Sequence, residues 1–384
     1  MSIFRDRVGV ATLVVAHCAG MIDLIALPIW VGTLVRHRGF DAQQAGLLVS
    51  LFLGGAVVAS VLLARRAPRG PAGRRAAMGY ALAALVFGLM AAPASAAALG
   101  VGHLLAGLSV GVSLSTTHAT IGRSPRPHRV FALAGMGLGV FAVLFLASAP
   151  TLVERHGSPV LFGLFALVMV LAALACAGAF PQDEQADLPQ ETARAEAPGP
   201  WIGSCVAGIS AMALVQAMSF SFLERVGMHR GFGVDALAGV LVTLGLVNLV
   251  PAPLAAWLER RLAPAWVLRL GPLVQALLAL TLMWSAHFLP WAAAASVLAA
   301  VMIFTHTFAF GLLARLDPSG RATAATPAML MTGSALGPVL GGSLVNFLGF
   351  EALGLAALGI GLVAALCMDR AARSPQALQT GVIA

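Results

Sequence analysis

Apolar residues run along this chain in blocks of about 20, the length that carries a helix across the hydrocarbon of a bilayer. Walking the sequence, such blocks fall at 9–35, 43–64, 76–97, 99–121, 131–153, 158–180, 201–224, 234–257, 266–286, 290–314, 323–347 and 351–369. The breaks between them are short and rich in Arg, Pro and Gly, as turns require. The pattern predicts an all-α integral membrane protein with twelve transmembrane helices. The first block is too long for the apolar core of a signal peptide, running to about Val35 with only His17 and Asp23 interrupting it, and is expected to be a retained span.

One polar stretch is much longer than the other breaks. Residues 181–200, "PQDEQADLPQETARAEAPGP", are acidic, contain proline and lack large apolar side chains, the composition of a flexible linker. It falls between the sixth and seventh blocks. The expected organisation is an N-terminal six-helix bundle over 1–180, a cytoplasmic linker over 181–200, and a C-terminal six-helix bundle over 201–384 ending in a short cytoplasmic tail. Basic turns recur at matched places in the two parts: "ARRAPRGPAGRR" after block two and "LERRLAPAW" after block eight, "GRSPRPHRVFALAGMGLG" after block four and "DPSGRATAATPAMLMTGSALG" after block ten. Such recurrence points to duplication and pseudo-symmetric bundles.

Composition agrees: the 384 residues are 59% hydrophobic and 10% charged, with a mean hydropathy of +0.92, whereas soluble chains are about 25% charged. The net charge of +8 comes from arginine alone, since the chain has no lysine. Of the 23 arginines, only Arg36, Arg38, Arg155, Arg225 and Arg230 fall on the side away from the chain ends when twelve spans are counted. The positive-inside rule therefore predicts that both termini are cytoplasmic, in a bacterial inner membrane. The basic residues are explained by topology, and nothing resembles a soluble nucleic-acid-binding domain. A Walker A sequence is impossible without lysine, so an ion gradient is the expected energy source. Cys18, Cys176, Cys205 and Cys367 lie in apolar blocks without metal-ligand spacing, and no cofactor or metal is expected.

The chemistry rests on polar residues at membrane depth. An ionisable group at the bilayer centre costs roughly 2.5–3.5 kcal/mol and is functional by default. In "HCAGMIDLIALPIW", residues 17–30, Asp23 is the single acidic residue placed clearly at depth, with Pro28 nearby as a possible bend. His17 lies about 9 Å along the same helix but about 120° around it, which makes it a poor direct partner. His103, His306, Gln216, Asn248 and Gln275 complete the candidates for proton or substrate binding, with Ser219 and Asn346 also at depth. Each of the neutral groups could equally hydrogen-bond a neighbouring helix. Glu224 and Asp235 are expected at the interface, and Trp30, Trp201 and Trp291 in an interfacial belt. A cavity with one carboxyl and no deep cation suits a neutral, zwitterionic or cationic solute better than an anion.

Twelve spans split six and six by a polar linker resemble the major facilitator superfamily over essentially the whole chain. "GSALGPVLGG" in span eleven, with Gly333, Gly337, Pro338, Gly341 and Gly342, is similar to the Gly-Pro signature that antiporter branches carry in span five. Physically, glycines at this spacing let helices approach closely and Pro338 bends its helix. The loop after span two, with Arg65, Arg66, Arg69, Arg74 and Arg75, resembles the basic loop of the family but lacks its Asp. "GHLLAGLSVG" in span four is similar to the segment that often carries an intramembrane Arg implicated in proton coupling, with His103 at the matching position. The resemblance implies a monomeric secondary transporter, efflux-like, working by alternating access on a small molecule and protons within the lipid bilayer. Proton-coupled uptake of a small polar nutrient is the alternative direction. A membrane-embedded enzyme is the third reading. The G-x-S-x-G string around Ser109 lies inside an apolar helix rather than on a strand-to-helix turn, and His103 sits on another face of that helix, so no enzyme is expected.

Overall fold

The computed structural model describes residues 2–65, 70–124, 127–181, 200–258, 261–316 and 326–374. Among them it is all helix, with twelve helical stretches long and apolar enough to cross a membrane. In order they are Arg7–Arg38, Ala42–Leu63, Ala72–Ala91, Ala96–Gly122, Arg129–His156, Ser158–Ala179, Pro200–His229, Val234–Ala255, Pro264–Trp284, Phe288–Leu313, Ala328–Leu348 and Phe350–Ala372, called spans one to twelve below. They match the twelve apolar blocks. The expected linker, apart from Pro181 and Pro200, lies outside the described residues, as do Arg66 and Arg69.

Spans one to six pack among themselves, mainly as two against four and three against six; nine packs on ten and twelve, and seven on eleven and twelve. Close approach is bought with small residues. A side chain on Gly107 would run into the carbonyl of Phe52, and one on Gly111 into that of Ala56, so the glycines of the G-x-S-x-G string form the face on which span four meets span two. Gly333, Gly337 and Gly341 likewise seat span eleven on Ser210, Ala217 and Met218 of span seven, while Gly342 meets the backbone of Ala42.

Two spans are interrupted. Span one consists of helices Ser2–Gly20 and Ile22–Arg38, broken at Met21, whose φ is −105° and ψ 20°. The break falls seven residues before Pro28, which stays inside the second half-helix, and two residues before Asp23. Span eight breaks at Asn248, between helices Val234–Val247 and Pro251–Leu258. Here Pro251 explains the interruption, because it disfavours helical geometry in the residue before it.

The two parts of the chain are related by more than basic turns. His37-Arg38-Gly39-Phe40 and His229-Arg230-Gly231-Phe232 are the same string, and both glycines take positive φ, 71° and 76°, which glycine tolerates without strain. The arginines do the same work. Arg38 donates to the carbonyls of Met90, Ala91 and Ala92 at the end of span three; Arg230 donates to those of Met283 and Trp284 at the end of span nine. Each satisfies carbonyls that a helix end leaves unpaired. At the same offset, Gly79 faces Ser113 and Gly271 faces Thr305.

The two six-helix sets meet along spans one and seven, two and eleven, and five and eight. On the side away from the termini this seam is tight: Gly46 lies on the backbone of Pro338, Gln43 donates to Ser343 at 3.2 Å, and the Val339 N–H, next to Pro338, donates to Ser50 Oγ at 3.1 Å. Nearer the termini, Met331 of span eleven packs with Ala56 and Leu114, and Met21 at the break of span one lies against this cluster.

Candidate functional site

Asp23 occupies the first turn of the second half-helix of span one, where the helix dipole favours a negative charge. It is 3% exposed, and its Oδ1 is buried with no hydrogen-bond partner among the described residues. No ion pair with a basic side chain reaches it among them either. Unpaired burial of charge is costly, so this carboxyl is a candidate to take up a proton or a cation.

His17 does not pair with Asp23, as the helical angle predicts. Its Nδ1 lies 2.9 Å from Nε2 of His118 on span four, and one imidazole must donate while the other accepts. His118 was absent from the sequence candidates; the available signal was a second histidine inside the same apolar span as His103. On span seven, Gln216 is joined to Gln275 of span nine: Gln275 Nε2 donates to Met212 O and to Gln216 Oε1, both at 3.2 Å. Asn248 stands at the break of span eight with its Oδ1 buried and without a hydrogen-bond partner among the described residues, and His306 on span ten has Nδ1 in the same condition, its ring centroid 4.8 Å from that of Phe310.

His103 also has a buried ring nitrogen, Nε2, without a hydrogen-bond partner among the described residues. It is fully buried inside the first six-helix set, with Nδ1 2.7 Å from Leu99 O and its ring 5.6 Å from Trp30 and 5.9 Å from Phe162. Trp30 and Trp291 are completely buried against other side chains rather than exposed on the surface; Trp30 anchors an aromatic cluster with Phe52, Phe87 and Phe165. Of the basic loop, Arg74 is exposed, whereas Arg75 folds back so that Nε donates to Thr116 Oγ1 at 3.1 Å. Arg65 closes the helix of span two.

Glu224, expected at the interface, is also buried and paired across the seam. Span seven continues to His229, so Glu224 lies inside it rather than at its end and is 7% exposed. Its Oε1 is bound by Arg36 of span one across the seam, and Arg36 also holds Glu154 of span five at 3.3 Å. Gly32 makes room, since a side chain there would strike the Glu224 carboxylate. When the two His-Arg-Gly-Phe strings are aligned, Gly32 and Glu224 occupy the same position.

Two related sets of six spanning helices, interrupted spans, and buried polar groups where the sets face each other define a polytopic protein of the transporter type. A family model for the Major Facilitator Superfamily matches residues 12–326, and the chain belongs to that superfamily. It is a membrane transporter and not an enzyme. No curated protein matches the chain. Among solved structures, a bacterial homologue of the human lysosomal transporter Spinster, inward-facing and unoccupied, superposes with a TM-score of 0.70 at 14% identity, over 99% of this chain and 98% of that one. A mutant of the peptide transporter POT with alafosfalin gives 0.70 at 16% identity over 95% of each. A mutant of the nucleoside transporter NupG gives 0.70 at 13% identity over 94% of this chain and 98% of that one. At these identities the likeness is one of fold.

Proposed function

We propose that the protein is a proton-coupled secondary transporter of the bacterial inner membrane, exporting a small neutral, zwitterionic or cationic solute by alternating access. Residues 1–180 and 201–384 are the moving bodies, joined by 181–200, with both termini cytoplasmic as the arginine distribution indicates. The tight side of the seam then faces outward, and Arg36 with Glu224 and Glu154 forms the outer gate. The reading is carried by Asp23, a buried carboxyl at a helix break without a basic partner among the described residues. One proton moving down 100 mV releases about 2.3 kcal/mol, enough to drive a solute against a gradient of almost fifty-fold. Solved neighbours described as peptide and nucleoside transporters support a solute of small-metabolite size.

The test begins with cells that have or lack the protein. The metabolite whose retention differs most is then followed in proteoliposomes under an imposed proton gradient. The wild type should move it in the direction of export and carry protons the opposite way. Asp23→Asn should abolish gradient-driven movement while leaving the protein folded; intact coupling in that variant refutes the role given to Asp23.

A further inference from the structure

The charged cluster on the tight side of the seam holds more carboxylates than cations. Arg36 of span one binds Glu224 of span seven through one guanidinium nitrogen and Glu154 of span five, at 3.3 Å, through the other. Arg225, next to Glu224 on span seven, stands over the rings of Phe222 and Phe350, 6.0 Å from each. It interacts electrostatically with Glu224 and with Asp41, just before span two. His37 interacts in the same way with Arg36 and Glu154 and is exposed. Two guanidiniums thus face three carboxylates. Around the other elements packed on span seven stand Asp235, His287 and Glu351, all exposed, and Arg230 holds Glu351 at 3.1 Å. Span eleven has no titratable side chain.

Glu224 bears the excess. Glu154 is 45% exposed, so water solvates it, and Asp41 is exposed and accepts the Gln44 N–H at 2.8 Å. Glu224 is buried, and only its Oε1 receives a hydrogen bond. Its Oε2 lies against Gly32, where a side chain would collide with it, and no N–H or O–H among the described residues reaches it. A buried carboxylate oxygen without a donor is costly as part of an anion; as a carboxylic acid the group carries its own proton. Arg36 can still donate to the neutral acid, but that bond loses the strength that the ionised acceptor gives it.

We infer that Glu224 is the proton-binding group of the outer gate, and that a proton taken up on Oε2 weakens the pair with Arg36 and lets spans one and seven part. This rests on the outer-gate reading and deepens it: the proton that drives export arrives from outside, and the gate opens to it. Glu154, on the same guanidinium and facing water, adds the negative charge that draws the proton in. An ionised Glu224 holds the seam shut, so the closed state is favoured while Glu224 is ionised and loses ground as falling pH protonates it.

The experiment uses the full-length protein with its native cysteines replaced and one cysteine at Ser50, in right-side-out membrane vesicles at equal pH on both sides. An impermeant thiol reagent reports opening from mildly alkaline to acid pH. Each rate is divided by that of Ala94→Cys, an exposed position before span four, which removes the pH dependence of the thiol itself. In the parent the corrected rate should rise about fivefold as pH falls, the difference between a charge-assisted and a neutral hydrogen bond. It should level off at the rate of Glu224→Gln, which should be fast and insensitive to pH. Glu154→Gln should keep the response but move it toward acid, because loss of the like charge makes Glu224 the weaker base. His37→Gln should keep the response. A parent rate indifferent to pH, a response that persists in Glu224→Gln, or one abolished by Glu154→Gln or His37→Gln overturns the inference. Faster labelling in Arg36→Ala beside a parent indifferent to pH leaves the gate standing and removes only the proton from it. Labelling that neither Arg36→Ala nor acid accelerates overturns both.

Discussion

Replacing Arg36 by alanine removes the only hydrogen-bonded partner of the Glu224 carboxylate among the described residues and leaves it buried at the seam. Breaking a buried pair in this way costs about 3–5 kcal/mol. Arg36 is 28% exposed, which screens the interaction and lowers the expected cost to roughly 2 kcal/mol. The loss is asymmetric. Glu224→Gln keeps an acceptor opposite Arg36, and Arg36 retains Glu154, so it should cost about 1 kcal/mol, the worth of an ordinary hydrogen bond. Both penalties apply only when spans one and seven touch. They therefore disfavour the outward-closed state relative to the open one, by about thirtyfold for Arg36→Ala and about fivefold for Glu224→Gln. A cysteine at Ser50, which accepts the Val339 N–H across the seam, reports the opening through its labelling by an impermeant thiol reagent added outside. The background should have Cys18, Cys176, Cys205 and Cys367 replaced. Labelling should accelerate in the order Arg36→Ala, Glu224→Gln, parent. Equal rates in all three, with melting curves showing folded protein, would refute the gate; Glu224→Gln exceeding Arg36→Ala would refute the asymmetry.

Other perturbations test the packing that supports the site. Tyr80 donates to Ala16 O at 2.5 Å beside the break of span one, so Tyr80→Phe should lower stability by about 1–3 kcal/mol, read as an earlier melting transition in detergent. Gly107→Leu must push span four off the Phe52 backbone and should cost about 1–3 kcal/mol, whereas Gly54→Ala, with open space at its Cβ position, should be neutral or slightly stabilising by the same measurement. Removing one imidazole from the His17–His118 pair orphans the other, so a double-mutant cycle with His17→Leu and His118→Leu should show the double variant more stable than the sum of the singles predicts.

The twelve spans were legible in the chain because membrane insertion depends on the apolar content of contiguous segments, and that is a property of sequence alone. The six-plus-six division followed from a polar stretch too long for a turn, and Asp23 stood out because few carboxyls occur in an apolar run. What each polar side chain meets is a different matter, since it depends on the rotation and contacts of helices distant in the chain. His17 and His118 are far apart in sequence and become partners only when spans one and four pack. Glu224 reads as interfacial because a charge near the end of an apolar block marks its boundary, but its partner was not legible, because Arg36 arrives from the other half. His103 matched a functional position of the family, yet packing surrounds it with Trp30 and Phe162. The sequence determined which segments cross the membrane and which residue types reach depth; only tertiary packing decided which of those residues face one another, because a hydrogen bond needs its partners within about 3 Å and no pattern along one strand of chain specifies that distance.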